Sequence, residues 1–361
     1  MDIAIVLLLL VVIIAFIFEY INGFHDSANA VATVVSTKAL SPRNAIMYAA
    51  SLDFVGALFG THVAKTIGVG LVSAESITQL VIFCALLGAV VWNILTWYFG
   101  LPSSSSHALI GGLLGAAVAH AYFQLDKAYE LVLRIPSFHL EHPALGAINT
   151  AGVFHKVIVP MIASPILGFC VGFLVILILL KVFHKMRPEA LNKTFRKAQL
   201  FSSGFLAFSH GSNDAQKTMG IITLSLMTAG VIKGTTFEIP VWVICTCAGT
   251  LALGTMTGGL KIIRTLSSKV IKMKPIHGFS VEVASASIIL TASHFGFPVS
   301  TTHIVSTAIM GVGSMVKVSA VKWGMVKKIV VAWVCTIPMC MLLSAGFYFL
   351  LMGTPLANAG G

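Results

Sequence analysis

The apolar residues of this chain come in runs too long and too closely spaced for a soluble core. One run covers residues 3–21, stops at Asn22-Gly23, and resumes beyond Asn29 to about Thr37. Further apolar segments lie near 45–71, 79–100, 108–119 and 152–182. Beyond residues 183–197 the plan repeats. A segment near 199–208 meets the polar stretch Ser209 to Asn213 and resumes from Thr218 to Thr228. Segments near 240–260 and 278–296, a run ending about Gly313, and 326–352 complete the series. Runs of this length cross a bilayer as helices. The pattern predicts an all-α polytopic membrane protein with about ten to twelve crossing or re-entrant segments.

The interruptions matter as much as the runs. Asn22-Gly23 and Ser209–Asn213 are expected to break their helices. Pro102 and Pro298 are each expected to head a short helix after a tight turn, as proline does at a first helical position, in a re-entrant hairpin or a full span. Residues 121–150 carry Asp126, Lys127, Glu130, Arg134, Pro136 and Pro143, and read as an extramembrane loop. Gly111, Gly112 and Gly115 suit close helix packing.

The polar blocks recur. Asn22-Gly23-Phe24-His25-Asp26-Ser27-Ala28-Asn29-Ala30 returns as Ser209-His210-Gly211-Ser212-Asn213-Asp214-Ala215-Gln216-Lys217. Pro102-Ser103-Ser104-Ser105-Ser106-His107 returns as Pro298-Val299-Ser300-Thr301-Thr302-His303. The aspartates are 188 residues apart and the prolines 196, so the chain is internally duplicated. The expected organisation is a first membrane repeat over 1–182, a basic cytoplasmic linker over 183–197, and a second repeat over 198–361. Duplicated halves with discontinuous helices are the pattern of inverted-repeat secondary transporters, whose solutes bind near the midplane.

Composition changes the picture only by exclusion. Of 361 residues, 57% are hydrophobic and 10% charged, with mean hydropathy +0.95. That rules out a two-domain soluble protein. A net charge of +11 could suggest a nucleic-acid partner, but the basic residues gather in short loops. They include Lys181, Lys185, Arg187, Lys193, Arg196 and Lys197, then Lys261, Arg264, Lys269, Lys272 and Lys274. Such loops are expected on the cytoplasmic side, which places the protein in the cytoplasmic membrane with both termini non-cytoplasmic. The start of the chain lacks the basic region of a cleaved signal peptide. The six cysteines all lie in apolar runs and suit packing better than metal binding or disulfides.

Intramembrane carboxylates are costly and mark function. Asp26 and Asp214 occupy equivalent places. Each could simply cap a half-helix, but Asn29 and Lys217 follow them at the same spacing and share their helix faces. Lys217 points to an anionic solute, although it could also serve as a counter-ion to Asp214 or Asp26. Ser103, Ser104, Ser105 and Ser106, with Ser300, Thr301 and Thr302, supply more hydroxyls than local backbone bonding needs. Asn213 stands beside Asp214. Asp53 and Glu282 form a second carboxylate pair, one per half, suited to Na⁺ or a proton; interhelical hydrogen bonding is the bland alternative. His25 precedes Asp26 and titrates near neutral pH. His107 and His303 read as hydrogen-bonded helix-break residues as readily as ligands, and no resident metal is assigned.

Residues 23–30 and 211–217 resemble the two signatures of the inorganic phosphate transporter (PiT) family, G-x-N-D-x-x-N-A or close to it. The two proline clusters match as well, so the resemblance covers essentially the whole chain. It is nearest to bacterial low-affinity phosphate permeases, which carry His where the general pattern has Asn, as His25 does here. The resemblance implies alternating-access symport of inorganic phosphate with H⁺ or Na⁺, commonly by a homodimer, without an organic cofactor or a nucleic-acid partner. It implies a substrate site drawn from Asp26, Asn29, the hydroxyl clusters, Asn213, Asp214 and Lys217. Cation coupling would involve His25, Asp26, Asp53, Asp214 and Glu282. The long mid-chain insertion of some relatives is missing. A permease for sulfate or another oxyanion would share every motif, and a passive channel would differ in not accumulating solute. An intramembrane hydrolase using Ser105 or Ser106, His107 and Asp26 is the rival from another class. Adjacent Ser and His seldom meet as nucleophile and base, and such an enzyme has no use for a duplicated site.

Overall fold

The computed structural model describes residues 3–72, 77–133, 148–232 and 236–356. Apart from an isolated bridge between Val72 and Ile148, the regular structure among these residues is helical. The first repeat contains α1 (Ile3–Ser36), α2 (Pro42–Ala57), α3 (His62–Val69), α4 (Gln79–Phe99) and α5 (Ser105–Leu133). It closes with α6 (Thr150–Val153), which runs through a π-helical turn at Phe154–Ile158 into α7 (Val159–Val182). The second repeat contains α8 (Pro188–Thr228), α9 (Val241–Thr257), α10 (Leu260–Arg264), α11 (Pro275–His294), α12 (Thr301–Val316) and α13 (Trp323–Leu351).

Six of these helices are long and apolar enough to cross a membrane, and two bent pairs raise the number to eight. The bends are 71° between α2 and α3 and 60° between α9 and the segment opened by α10. Adding α8 and the short α12 gives ten segments, five per repeat, in the same order. The repeats are not side-by-side bodies. The terminal helix α7 packs against α12 of the second repeat, and α13 packs against α5 of the first. Likewise α1 lies along α9 while α2 lies along α8.

The discontinuities fall elsewhere than the polar motifs suggest. α1 is one helix of 34 residues and α8 one of 41, unbroken through Asn22-Gly23 and Ser209–Asn213. Polar side chains do not break a helix when neighbours satisfy them laterally, and one glycine costs only about 1 kcal/mol of helix propensity. Here the glycines serve close approach. A Cβ on Gly23 would lie 2.3 Å from the Leu251 carbonyl oxygen, and one on Gly211 would lie 2.1 Å from that of Asp53. Asp26 and Asp214 are consequently mid-helix residues, not caps.

The hydroxyl clusters do head helices. Pro102 and Pro298, however, precede the first helical residue by three positions, because α5 begins at Ser105 and α12 at Thr301. Each turn follows a glycine in the left-handed region, Gly100 at φ 65° and Gly296 at φ 73°. α4 folds back on α5 and α11 on α12, giving two helical hairpins. Two loop expectations are corrected. α5 continues through 121–133, so the expected loop 121–150 is helical there, and 134–147 lie outside the described residues. The expected loop 183–197 is a turn over 183–187, after which α8 begins with proline at its first position.

Candidate substrate and cation site

The middle turns of α1 and α8 meet the tips of both hairpins, and every polar residue at the meeting point is buried. The two hairpin helices start alike. Ser104 Oγ accepts from the His107 N–H and Ser300 Oγ from the His303 N–H, both at 3.2 Å. One serine of each cluster is thus spent on capping. The remaining early N–H groups of α5 and α12 have no partner within their helices and favour an anion.

Around these tips the equivalent residues of α1 and α8 reach across the duplication. Asn29 donates to Thr302 at 2.9 Å and Thr301 at 3.3 Å, on the second hairpin. Its counterpart Lys217 donates to Ser106 on the first hairpin and forms an ion pair with Asp214. Thr301 donates to Asp214 at 3.2 Å, and Thr302 to Asp26 at 3.4 Å. The two aspartates, 188 residues apart in sequence, thereby belong to one centre.

Histidines extend it. His25 Nδ1 lies 2.8 Å from Asp26 Oδ1, and its Nε2 lies 3.1 Å from Thr96, which in turn pairs with Ser103 at 2.8 Å. His210 bridges Asp214 at 3.0 Å and Asp53 at 3.1 Å. Thr255 donates to the other oxygen of Asp53 at 2.8 Å. Asp26, His210 and Asp214 each offer a ligand atom within 4.8 Å of the others. Two carboxylates and an imidazole are good cation ligands.

The structure separates other residues from this centre. Glu282 accepts from Thr33 at 2.7 Å, from Gln199 at 2.9 Å and from Ser202, a cluster of its own between α1, α8 and α11. Asn213 donates to Ser293 on α11 at 2.8 Å. Asp53 and Glu282 are not structural equivalents. Asp53 lies on α2, whereas the 196-residue offset of the prolines carries Glu282 back onto Leu86 of α4. His107 and His303 lie with ring centroids 4.8 Å apart, and His303 is 4.0 Å from Trp333. Neither nitrogen of His303 has a hydrogen-bond partner, nor does His107 Nδ1, so stacking replaces the hydrogen bonding expected there. Ser105 Oγ is likewise unpartnered and Ser106 is engaged by Lys217, so no serine–histidine dyad forms with His107.

Sequence reasoning passed over His210 as a connector, and Thr96, Thr255, Thr33, Gln199 and Ser202 as partners. It also passed over Glu19, buried on α1 and accepting from Thr218. The signal was available. Glu19, Asn22, Asp26, Asn29 and Thr33 are spaced 3, 4, 3 and 4 residues apart, which is one helix face.

A membrane-embedded, duplicated helical body with a buried centre of paired carboxylates, a lysine and two helix N-termini is that of a solute transporter. Comparison with known proteins agrees. The model described as "Phosphate transporter family" matches twice, over residues 22–193 and 183–344. A Bacillus subtilis (strain 168) relative named "Probable low-affinity inorganic phosphate transporter" is 44% identical over 353 residues, covering 97% of this chain and 99% of the relative. A Rhizobium meliloti (strain 1021) relative of the same name is 44% identical over 344 residues, covering 95% and 96%. Among solved structures, "The sodium-dependent phosphate transporter" superposes with TM-score 0.83 at 25% identity, covering 96% of this chain and 99% of that one. The chain belongs to the phosphate transporter family. It is a transporter and not an enzyme.

Proposed function

We propose that this protein carries inorganic phosphate by cation-coupled symport with alternating access, across the cytoplasmic membrane, as a homodimer of inverted repeats. The observation that carries the reading is the convergence of Asp26, Asn29, Asp214 and Lys217 from both repeats on the two hairpin N-termini. Lys217, Asn29, the free hydroxyls and the helix N–H groups are donors for a tetrahedral oxyanion. Asp26 and Asp214 would repel that anion unless neutralised. A cation held by Asp26, His210 and Asp214 would convert the repulsion into mutual dependence, because neither charge is tolerable alone in a dry interior. His25 and Asp53 adjoin the centre and tune it. Glu282 stands apart, and its part in coupling would act through α1 and α8.

An odd number of segments per repeat supports the inverted arrangement, and interleaved repeats give two bodies that can rock about a shared centre. The homodimer rests on the family resemblance. Radiolabelled phosphate uptake into proteoliposomes, with H⁺ and Na⁺ gradients imposed separately, tests the reading. Accumulation against a gradient driven by one cation is expected. Equilibration without accumulation would make the protein a passive pathway, and full competition by sulfate would broaden its substrate.

A further inference from the structure

The centre leaves one buried acid unused. Glu19 stands two helical turns before Asp26 on α1 and is fully buried. Its Oε2 accepts from Thr218 Oγ1, while its Oε1 has no hydrogen-bond partner. Among the described residues no basic group lies within ion-pair distance of it. Asn22, one turn further along α1 and equally buried, has no partner at either end of its amide. It lies close enough to act on the Glu19 carboxylate, yet makes no well-formed hydrogen bond to it. Buried polar groups are almost always paired, so the two bare oxygens, Glu19 Oε1 and Asn22 Oδ1, point to a ligand.

We propose that Glu19, Asn22 and Thr218 form a monovalent-cation site separate from the phosphate centre. Glu19 supplies one oxygen and the charge. Asn22 supplies its carbonyl oxygen, which stays free whichever way the amide is turned. Thr218 has spent its proton on Glu19, so its remaining lone pairs are available. Oxygen ligands of this kind suit hard cations. A single carboxylate offsets a single positive charge, and a divalent ion would leave a net charge in an apolar interior. A water alone would leave the carboxylate charge unbalanced. Thr218 directly follows Lys217, so an ion bound here would brace the α8 turn that presents Lys217 to the centre.

The site extends the coupling reading but is tested without phosphate, so its failure remains distinct from failure of that reading. Full-length protein in detergent is followed by tryptophan fluorescence on heating, at fixed pH and ionic strength. NaCl, LiCl or KCl replaces choline chloride. In an Asp26→Asn, Asp214→Asn background, which disables the central cation ligands, at least one of these salts should still raise Tm saturably. Adding Glu19→Gln or Asn22→Ala should weaken the apparent affinity at least about tenfold, roughly 1.4 kcal/mol. Asn22→Asp, tested in otherwise unmodified protein in case the background folds poorly, should strengthen it. Unchanged salt dependence in both Glu19→Gln and Asn22→Ala would overturn the site. So would a Tm that responds to pH but to none of the salts, which would make Glu19 a proton site, or to neither, which would leave only bound water.

Discussion

The Asp214–Lys217 pair is where the centre's chemistry is most exposed to test. Both residues are buried, Lys217 also holds Ser106, and Asp214 also holds His210 and Thr301. Removing one member of a buried pair strands the other, at a cost of about 3–5 kcal/mol. Lys217→Gln is therefore expected to lower Tm and to weaken phosphate binding more than cation binding, measured by calorimetric titration at fixed cation concentration. The double variant Asp214→Asn, Lys217→Gln should regain most of the Tm. Phosphate affinity that stays low in the double variant would mark Lys217 as a substrate contact, and restored affinity would mark it as a counter-ion alone. Asp26→Asn and Asp214→Asn should each reduce coupled uptake in proteoliposomes at least about tenfold, a barrier increase near 1.4 kcal/mol, with membrane insertion unaffected. Normal transport by both would remove the two aspartates from the mechanism.

At the scale of elements, helix contacts and helix starts hold the site in place. α1 crosses α9 through glycine on glycine. The Cβ of a residue at 23 would meet the Leu251 carbonyl oxygen, and one at 254 would fall 2.2 Å from that of Tyr20. The obstacle is backbone, so Gly23→Val must push the helices apart, and a cost of about 1–3 kcal/mol follows from overpacking. The variant should show reduced Tm and a loss of uptake out of proportion to the loss of folded protein, since Asp26 lies one turn away. The matched caps make a milder test. Ser104→Ala and Ser300→Ala should each cost about 1 kcal/mol, read as similar decreases in Tm. A much larger transport defect in either would assign that serine to substrate as well. The helical period already placed Asp26 with Asn29 and Asp214 with Lys217. Continuity of α1 and α8 was not legible, because Asn-Gly and Ser-His-Gly look alike whether they end a helix or let a neighbour approach it.

For the whole molecule, interleaving is the decisive property. α7 closes the second repeat's hairpin and α13 the first's, so neither repeat has a complete core by itself. Basic residues crowd the turn over 183–187 and the start of α8, where Lys185, Arg187, Lys193, Arg196 and Lys197 stand within a few turns. Under the positive-inside rule this end of the molecule is expected to face the cytoplasm. A cysteine introduced at the exposed Ala190 should react with a membrane-impermeant thiol reagent only from inside-out vesicles. Labelling from intact cells would invert the orientation and move both termini to the cytoplasm.

The membrane class, the internal duplication and the tight turns before the two hydroxyl clusters were legible in the sequence alone. Each of these depends on local order: run length, a recurring motif, or a proline at the head of a hydroxyl cluster. Which groups touch was decided only in three dimensions. Asn29 meets Thr302 across 273 residues, Thr301 meets Asp214 across 87, and His210 joins Asp53 to Asp214. The apparent twinning of Asp53 with Glu282 dissolved for the same reason, since equal residue types in two halves need not occupy equivalent helices. A buried charge is stable only beside its partner, and partners from opposite repeats become neighbours only when the repeats interleave.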